Sequence, residues 1–144
     1  MNKGYRFIFS DLRAQIGLII SQQWRITFYT FFVIAGIFGF ANAIVNSQES
    51  VDESNLLRFM LTIFTCFVML GGIYGINYLT LELLPKRKKL EKIRKSMSTK
   101  TRRLLKDYPD SFSLRYQLFY ILIQNISLIV AGIFVILYLF GLFF

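Results

Sequence analysis

The sequence predicts an all-α integral membrane protein with three transmembrane helices. Residues 59–81 are a run of 23 positions without a charged side chain, and about 20 apolar helical residues suffice to cross a hydrocarbon core. Two similar uncharged runs cover residues 26–45 and 118–144. Basic residues cluster between the second and third runs, as they do in the cytoplasmic loops of membrane proteins.

Composition supports one membrane domain over residues 1–144. The chain is 55% hydrophobic, and its apolar residues come in long blocks, which is typical of membrane proteins. It has no histidine, and Cys66, in the second span, is the only cysteine. The commonest general base and metal ligand is therefore missing, and a disulfide within one chain is excluded. No nucleophile–base pair or metal cluster can be assembled, so we expect neither an enzyme nor a cofactor.

Residues 1–25 are predicted to form an amphipathic helix at the cytoplasmic face. Its apolar side chains share one face at helical spacing. These side chains are Tyr5, Phe9, Leu12, Ile16, Ile19, Ile20 and Trp24. Such a helix either lies in the membrane interface or packs against the cytoplasmic ends of the spans, and the sequence leaves both possibilities open. Trp24 and Arg25 are expected to be interface anchors.

Small residues recur at every fourth position in the first two spans. The strip in span 1, residues 26–45, consists of Ala35, Gly39 and Ala43, and Gly71 and Gly75 form a similar strip in span 2. Small residues at this spacing allow two helices to approach closely in lipid. We therefore predict that these strips are helix-packing surfaces.

Residues 46–58 are predicted to form a short acidic loop on the outer side. The loop contains Glu49, Asp52 and Glu53, and its only basic residue is Arg58, at its end. We expect Arg58 to extend its side chain to the interface as an anchor, or to pair with one of these carboxylates.

Span 2 is predicted over residues 59–84, and residues 85–117 are predicted to form a basic cytoplasmic helix followed by a turn. Each cation near a charged bilayer surface contributes about 1 kcal/mol to lipid binding. The candidates for binding anionic lipid or phosphate are Lys86, Arg87, Lys88, Lys89, Lys92, Arg94, Lys95, Arg102 and Arg103. The same residues could instead remain solvated and only set the orientation. Nucleic acid is not an expected partner, because a glycine-rich phosphate loop and interleaved stacking aromatics are both missing.

The distribution of basic residues predicts the orientation. Four lie in residues 1–25 and twelve in residues 86–115. Because cytoplasmic loops carry an excess of Lys and Arg, the N-terminus is expected in the cytoplasm. Span 3, residues 118–144, then leaves the C-terminus outside. The predicted location is the bacterial inner membrane, as a multi-pass protein.

Few polar side chains occur at membrane depth. Within residues 26–45, 59–81 and 118–144 the only ionisable side chains are those of Tyr and Cys66. This absence of buried charges argues against a pump or secondary transporter that works alone. The polar candidates for interhelical hydrogen bonds, or for lining a water-filled path, are Thr62, Thr65, Asn77, Gln124, Asn125 and Ser127.

Two functional hypotheses follow from these observations. The first is a small non-enzymatic polytopic protein that acts by self-association, as an oligomeric channel or a membrane-perturbing effector. The second is an accessory or anchoring subunit that docks a cytoplasmic or membrane partner through its basic segment. In both, the bilayer with its anionic headgroups is a partner, and the chain works in a homo-oligomer or a larger membrane complex.

Overall fold

The computed structural model of this chain describes residues 3–46, 51–96 and 114–140, which contain three α-helices and no β-strand. Helix α1 covers Lys3–Asn46, α2 covers Val51–Ser96 and α3 covers Leu114–Leu139. At 1.5 Å per residue these helices are about 66, 69 and 39 Å long. All three are long and apolar enough to cross a membrane, over Phe7–Ala43, Asn55–Lys95 and Gln117–Leu139. The chain is thus all-helical where described, and compatible with a multi-pass membrane protein.

The three helices pack as an up-down-up bundle. Gln23 of α1 is hydrogen-bonded to Thr80 of α2, and Ala41 belongs to the same cluster as Leu61, so α1 and α2 are antiparallel. Tyr138 of α3 is hydrogen-bonded to Asn42, which makes α3 parallel to α1. The end of the bundle that contains Gln23 also carries the basic residues of α2, and we call it the basic end.

Helix α1 has no break between the predicted amphipathic segment and the predicted first span. One row of residues spaced three and four apart remains on the inner face through both segments. The buried members of this row are Leu12, Ile16, Ile19, Gln23, Thr27, Thr30, Ile34, Ile37 and Ala41. A sustained spacing of three and four keeps one seam of a helix against its neighbours. The N-terminal segment therefore packs on α2, since Ile16 and Ile19 contact Leu83.

Pro85 lies inside α2. Proline lacks the N–H that would bond to the carbonyl of the residue four positions earlier, and in a helix interior this costs about 3 kcal/mol. The helix nevertheless continues through Pro85. Leu83 is packed against α1 beside it, and Lys86 pairs with Glu82 across the proline, with Nζ 2.6 Å from Oε1. The described basic residues thus extend α2 instead of forming a helix of their own.

Apolar packing forms three clusters along the bundle. The cluster near the basic end has Ile16, Ile19 and Leu83 as its buried members. A middle cluster joins Ile76, Ile121 and Leu128. The cluster at the opposite end consists of Ile34, Ile37, Ala41, Val135 and Leu139, with Phe38 and Tyr138 packed against it.

Two glycines permit the closest approaches between helices. A Cβ atom at Gly72 would lie 2.6 Å from the Oγ1 atom of Thr30 and 3.2 Å from Cδ1 of Leu128. A Cβ at Gly132 would lie 2.7 Å from the sulfur of Met69. Side chains of α1 and α3 thus pack directly against the backbone of α2 at Gly72.

Candidate functional site

Buried polar side chains are interspersed with the apolar core towards the basic end of the bundle. Gln23, Thr27, Thr80, Gln117 and Gln124 are all buried there. The Nε2 atom of Gln23 donates to the hydroxyl of Thr80 at 3.0 Å and to the carbonyl oxygen of residue 76 at 3.4 Å. The Thr27 and Thr80 hydroxyls donate to carbonyl oxygens of their own helices. The two bonds from Gln23 join α1 to α2. The glutamines of α3 lie outside this network.

A cavity of about 150 Å³ lies beside this network. A space of about 10–15 Å³ accommodates one water, so this cavity has room for several waters or for a small polar group. All three helices contribute to its wall. The lining residues are Ile20, Gln23, Trp24, Arg87, Gln117, Tyr120, Ile121 and Gln124.

Gln117 is a residue of this wall with two side-chain polar atoms that lack hydrogen-bond partners. Its side chain is 6% exposed, and both its Nε2 and its Oε1 are buried without a hydrogen-bond partner. A buried amide that makes no hydrogen bond costs about 1–3 kcal/mol. Gln117 thus presents a donor atom, Nε2, and an acceptor atom, Oε1, to the cavity. It also lies in the first turn of α3, where the helix macrodipole favours negative charge.

Arg87 brings a positive charge to the same wall. Its side chain is half-buried, and it takes part in a further interaction besides lining the cavity. A guanidinium group is always protonated in proteins and presents several N–H donors in a planar fork. The site therefore combines one cation, an unbonded buried amide and apolar surface from Ile20 and Ile121.

Partly exposed aromatic side chains form part of the cavity wall. Trp24 and Tyr120 are 41% and 40% exposed, and they flank the cavity from α1 and α3. Tyr78 of α2 lies at the same height, because Gln23 bonds to Thr80 and Ile121 packs on Ile76. Trp and Tyr are enriched where membrane helices pass through the headgroup region. Aromatic side chains from all three helices thus lie at the height of the cavity.

The six polar residues predicted at membrane depth are dispersed over the bundle. Thr62 and Thr65 donate to carbonyl oxygens in α2 itself, and Gln124 lines the cavity. Asn125 donates to the Oδ1 atom of Asn77 at 3.2 Å, which joins α3 to α2. Ser127 is half-buried. The structure thus places Asn77 and Asn125 together, and it places Thr65 and Gln124 inside the bundle of a single chain.

The nine basic candidates are also dispersed. Lys86 and Lys95 pair with Glu82 and Glu91 one turn earlier in α2. Arg87 lines the cavity, and Arg94 is half-buried. Lys88, Lys89 and Lys92 are exposed. Arg102 and Arg103 lie outside the described residues.

The predicted small-residue strips differ in their contacts. Ala35, Gly39 and Ala43 are exposed on α1, and a Cβ at Gly39 or Gly71 would meet nothing within 4 Å. A Cβ at Gly75 would lie 3.2 Å from Cδ1 of Ile26. Only Gly75, of the five strip residues, is therefore at a contact between described helices.

The predicted anchors lie at opposite ends of the apolar segments. Trp24 and Arg25 are exposed at the basic end, with the Trp24 ring centroid 6.0 Å from that of Phe28. Arg58, near the start of α2, is half-buried.

Sequence reasoning missed Gln23, Gln117, Gly72 and Gly132. Gln23 could have been found by continuing the apolar row of residues 12–19 into the first span, because it occupies the next position of that row. Gln117 precedes the uncharged run that begins at residue 118, so it was assigned to the cytoplasmic turn. Gly72 and Gly132 have no small residue four positions before or after them, so the four-residue spacing does not find them.

No family model, curated protein or solved structure matches this chain. No group of three or more His, Cys, Asp or Glu side chains that could bind a metal comes together in the described residues. The function must therefore be argued from the geometry of the bundle.

Proposed function

We propose that this protein is a small non-enzymatic membrane protein that acts by self-association, as an oligomeric channel or a membrane-perturbing effector. The observation that carries the proposal is the outward position of the strip Ala35, Gly39 and Ala43. These residues are exposed on the side of α1 opposite Ile34, Ile37 and Ala41. A strip of small residues left open by its own chain fits the close approach of a helix from a second copy.

The interior of one chain supports the same proposal. Ile76 and Leu128 are fully buried in the middle of the bundle, and Ala41 is fully buried towards its far end. Aliphatic side chains thus occupy the axis, and a path for ions or water would have to form between copies. The apolar window of α2 leaves much surface for such contacts, since only 11% of it is buried within the chain.

The mass of the purified particle in detergent or nanodiscs tests self-association. The wild-type protein is expected to be a multimer of defined stoichiometry, and Gly39→Leu is expected to shift it towards monomer by adding bulk to the strip. Gly17→Leu is the matched control, because it adds the same bulk at an exposed glycine of α1 outside the strip, where a Cβ would meet nothing within 4 Å. A wild-type monomer, or equal effects of the two substitutions, would refute the proposal.

Activity of the assembly is tested in reconstituted vesicles. Wild-type protein is expected to produce unitary conductance or dye release, and Gly39→Leu is expected to abolish it at equal reconstituted mass. Vesicles that stay tight around an intact multimer would remove the channel and membrane-perturbing part of the proposal while leaving self-association in place.

The proposed orientation places the basic end in the cytoplasm of a bacterial cell and the far end of α3 outside the inner membrane. This orientation is supported by the excess of Lys and Arg at the basic end of the bundle. Labelling of a single cysteine tests it in cells whose inner membrane is accessible from outside, with Cys66→Ala as background. A cysteine at residue 89 is expected to be protected from an impermeant reagent, and one at residue 140 to react with it.

The second hypothesis, an accessory subunit that docks a partner, is favoured by one observation. Helix α2 continues beyond the level of the α3 start, and it carries the exposed Lys88, Lys89 and Lys92 there. A partner bound to this surface should dissociate as salt rises, because screening weakens exposed charge pairs. Affinity purification at low and high salt distinguishes the hypotheses: a salt-released partner with no conductance favours docking.

A further inference from the structure

The cavity at the basic end has a composition that none of the proposed roles uses. It combines a cation from α2, an unbonded amide from α3 and partly exposed aromatic side chains from α1 and α3. We propose that this cavity binds a phosphate ester that carries hydroxyl groups, and that its source is the headgroup of an anionic phospholipid in the bilayer around the protein. The inference does not depend on self-association, because every lining residue belongs to one chain.

The charge at the wall selects an anion. Arg87 is half-buried beside the apolar side chains of Ile20 and Ile121, where electrostatic attraction is less screened than at an open surface. A guanidinium fork matches the oxygens of a phosphate group. The first turn of α3 adds positive potential from its helix dipole. A phosphate between Arg87 and this turn would meet favourable charge from both sides.

Gln117 selects the rest of the headgroup. Its Nε2 can donate to a phosphate oxygen, but its Oε1 can only accept a hydrogen bond. Both atoms are buried without a partner, so the ligand that satisfies them must offer an acceptor and a donor. A phosphodiester with hydroxyl groups, as in phosphatidylglycerol, offers both. A choline headgroup has no N–H or O–H donor, so it would leave Oε1 unsatisfied.

The position of the cavity selects a lipid over a soluble ester. Trp24 and Tyr120 line the cavity, and both are partly exposed on the outer surface of the bundle. Trp and Tyr at this height mark the headgroup region of a bilayer. A lipid in the surrounding leaflet can enter sideways while its acyl chains remain against the exposed apolar faces of α1 and α3.

Trp24 provides the measurement, since it is the only tryptophan of the chain and it lines the cavity. Purified protein in a neutral detergent is titrated with short-chain phosphatidylglycerol while the Trp24 emission is recorded. The parallel titrations use short-chain phosphatidylcholine, glycerol phosphate and inorganic phosphate. We expect a saturable change with phosphatidylglycerol, and an affinity at least tenfold weaker for each of the other three.

Three variants distinguish binding in the cavity from binding to the exposed basic residues of α2. Gln117→Leu keeps the net charge and Arg87→Gln removes one charge, and each is expected to weaken phosphatidylglycerol binding about tenfold, the loss expected for one charge-assisted hydrogen bond. Lys88→Gln is the matched control, because it removes the same charge from the exposed neighbour of Arg87. It is expected to leave the affinity unchanged within twofold. Far-UV circular dichroism and thermal unfolding verify that each variant is folded.

Several outcomes would overturn the proposal. Equal binding of phosphatidylcholine would show that neither charge nor the hydroxyl donor is recognised. Equal losses for Lys88→Gln and Arg87→Gln would assign binding to the basic surface as a whole. No saturable response in a folded protein would mean that the cavity holds only water. Equal affinity for glycerol phosphate would overturn the lipid source and assign the cavity to a soluble ester.

Discussion

The two ends of this helical bundle are built differently from the same three helices. At the far end, Ile34, Ile37, Val135 and Leu139 fill the space between α1 and α3 with aliphatic side chains. At the basic end, the corresponding inward positions carry Gln23, Gln117 and Gln124, and a cavity of about 150 Å³ remains between them. We call these the packed region and the cavity region.

The difference shows how a membrane bundle can separate stability from binding. Lipid tails are as apolar as aliphatic side chains, so burying an isoleucine between helices gains little from leaving lipid, and association depends on close contact. The packed region supplies that contact. The cavity region has less contact between helices, and the two amide atoms of Gln117 have no hydrogen-bond partner there. This arrangement is favourable only if a ligand or water fills the cavity. Replacing the unbonded Gln117 should therefore change the unfolding free energy with the opposite sign to substitutions in the packed region.

The largest effect is expected from Gly72→Leu, which adds a side chain where α1 and α2 are in close contact next to the packed region. A Cβ there would lie 2.6 Å from Oγ1 of Thr30, so the leucine must push α1 away from α2. Overpacking of this kind costs about 1–3 kcal/mol and occasionally more. Denaturant titration in detergent, followed by circular dichroism, measures the loss of unfolding free energy. Gly71→Leu is the control, since a Cβ at Gly71 meets nothing within 4 Å, and an equal loss for both would disprove the contact.

A smaller loss is expected from Ile37→Ala inside the packed region. In water-soluble cores such a truncation costs about 2–5 kcal/mol. Here the transfer contribution is weak because the alternative environment is also apolar, so we expect about 1–2 kcal/mol from lost dispersion contacts. Ile133→Ala, at an exposed position of α3, should change the unfolding free energy much less. If both variants lose the same amount, lipid contact rather than interhelical packing stabilises this end.

The sign should reverse in the cavity region with Gln117→Leu. Replacing an unbonded buried amide by an aliphatic group of similar size removes the desolvation penalty, so lipid-free protein should gain about 1 kcal/mol in unfolding free energy. The exposed Gln22→Leu serves as the control. The same Gln117 variant should bind phosphatidylglycerol more weakly, so stability and binding move in opposite directions. A loss of stability would show that Gln117 is satisfied in solution by tightly held water.

The sequence predicted the helical spans well, because uncharged runs of 20 or more residues have few alternatives to a membrane helix. It predicted the ends of the helices less well. Pro85 indicates a boundary, but α2 continues through it, with Leu83 packed on α1. Such compensation comes from a neighbouring helix and is not visible in local sequence.

The candidate site could be predicted only in part for a related reason. Arg87 and Gln124 were identified, one as a cation and the other as a polar residue at membrane depth. Their meeting in one cavity depends on the register between α2 and α3, which sequence periodicity within each helix does not determine. Gln23 and Gln117 are buried because of that register, while similar residues such as Gln22 remain exposed.

The smallest effect is expected at the hydrogen bond that closes the cavity region towards the bundle. Gln23 donates to the Thr80 hydroxyl at 3.0 Å, and that hydroxyl itself donates to the carbonyl oxygen of residue 76 at 2.8 Å. Gln23→Leu therefore removes this bond, and the longer bond to the carbonyl oxygen of residue 76, without stranding a donor on Thr80. Interhelical hydrogen bonds in membranes average about 0.6 kcal/mol, so we expect a coupling energy of that size between Gln23 and Thr80. A double-mutant cycle with Thr80→Val measures it, and a coupling energy near zero would mean that packing of the two side chains, rather than their bond, joins α1 to α2 at this height.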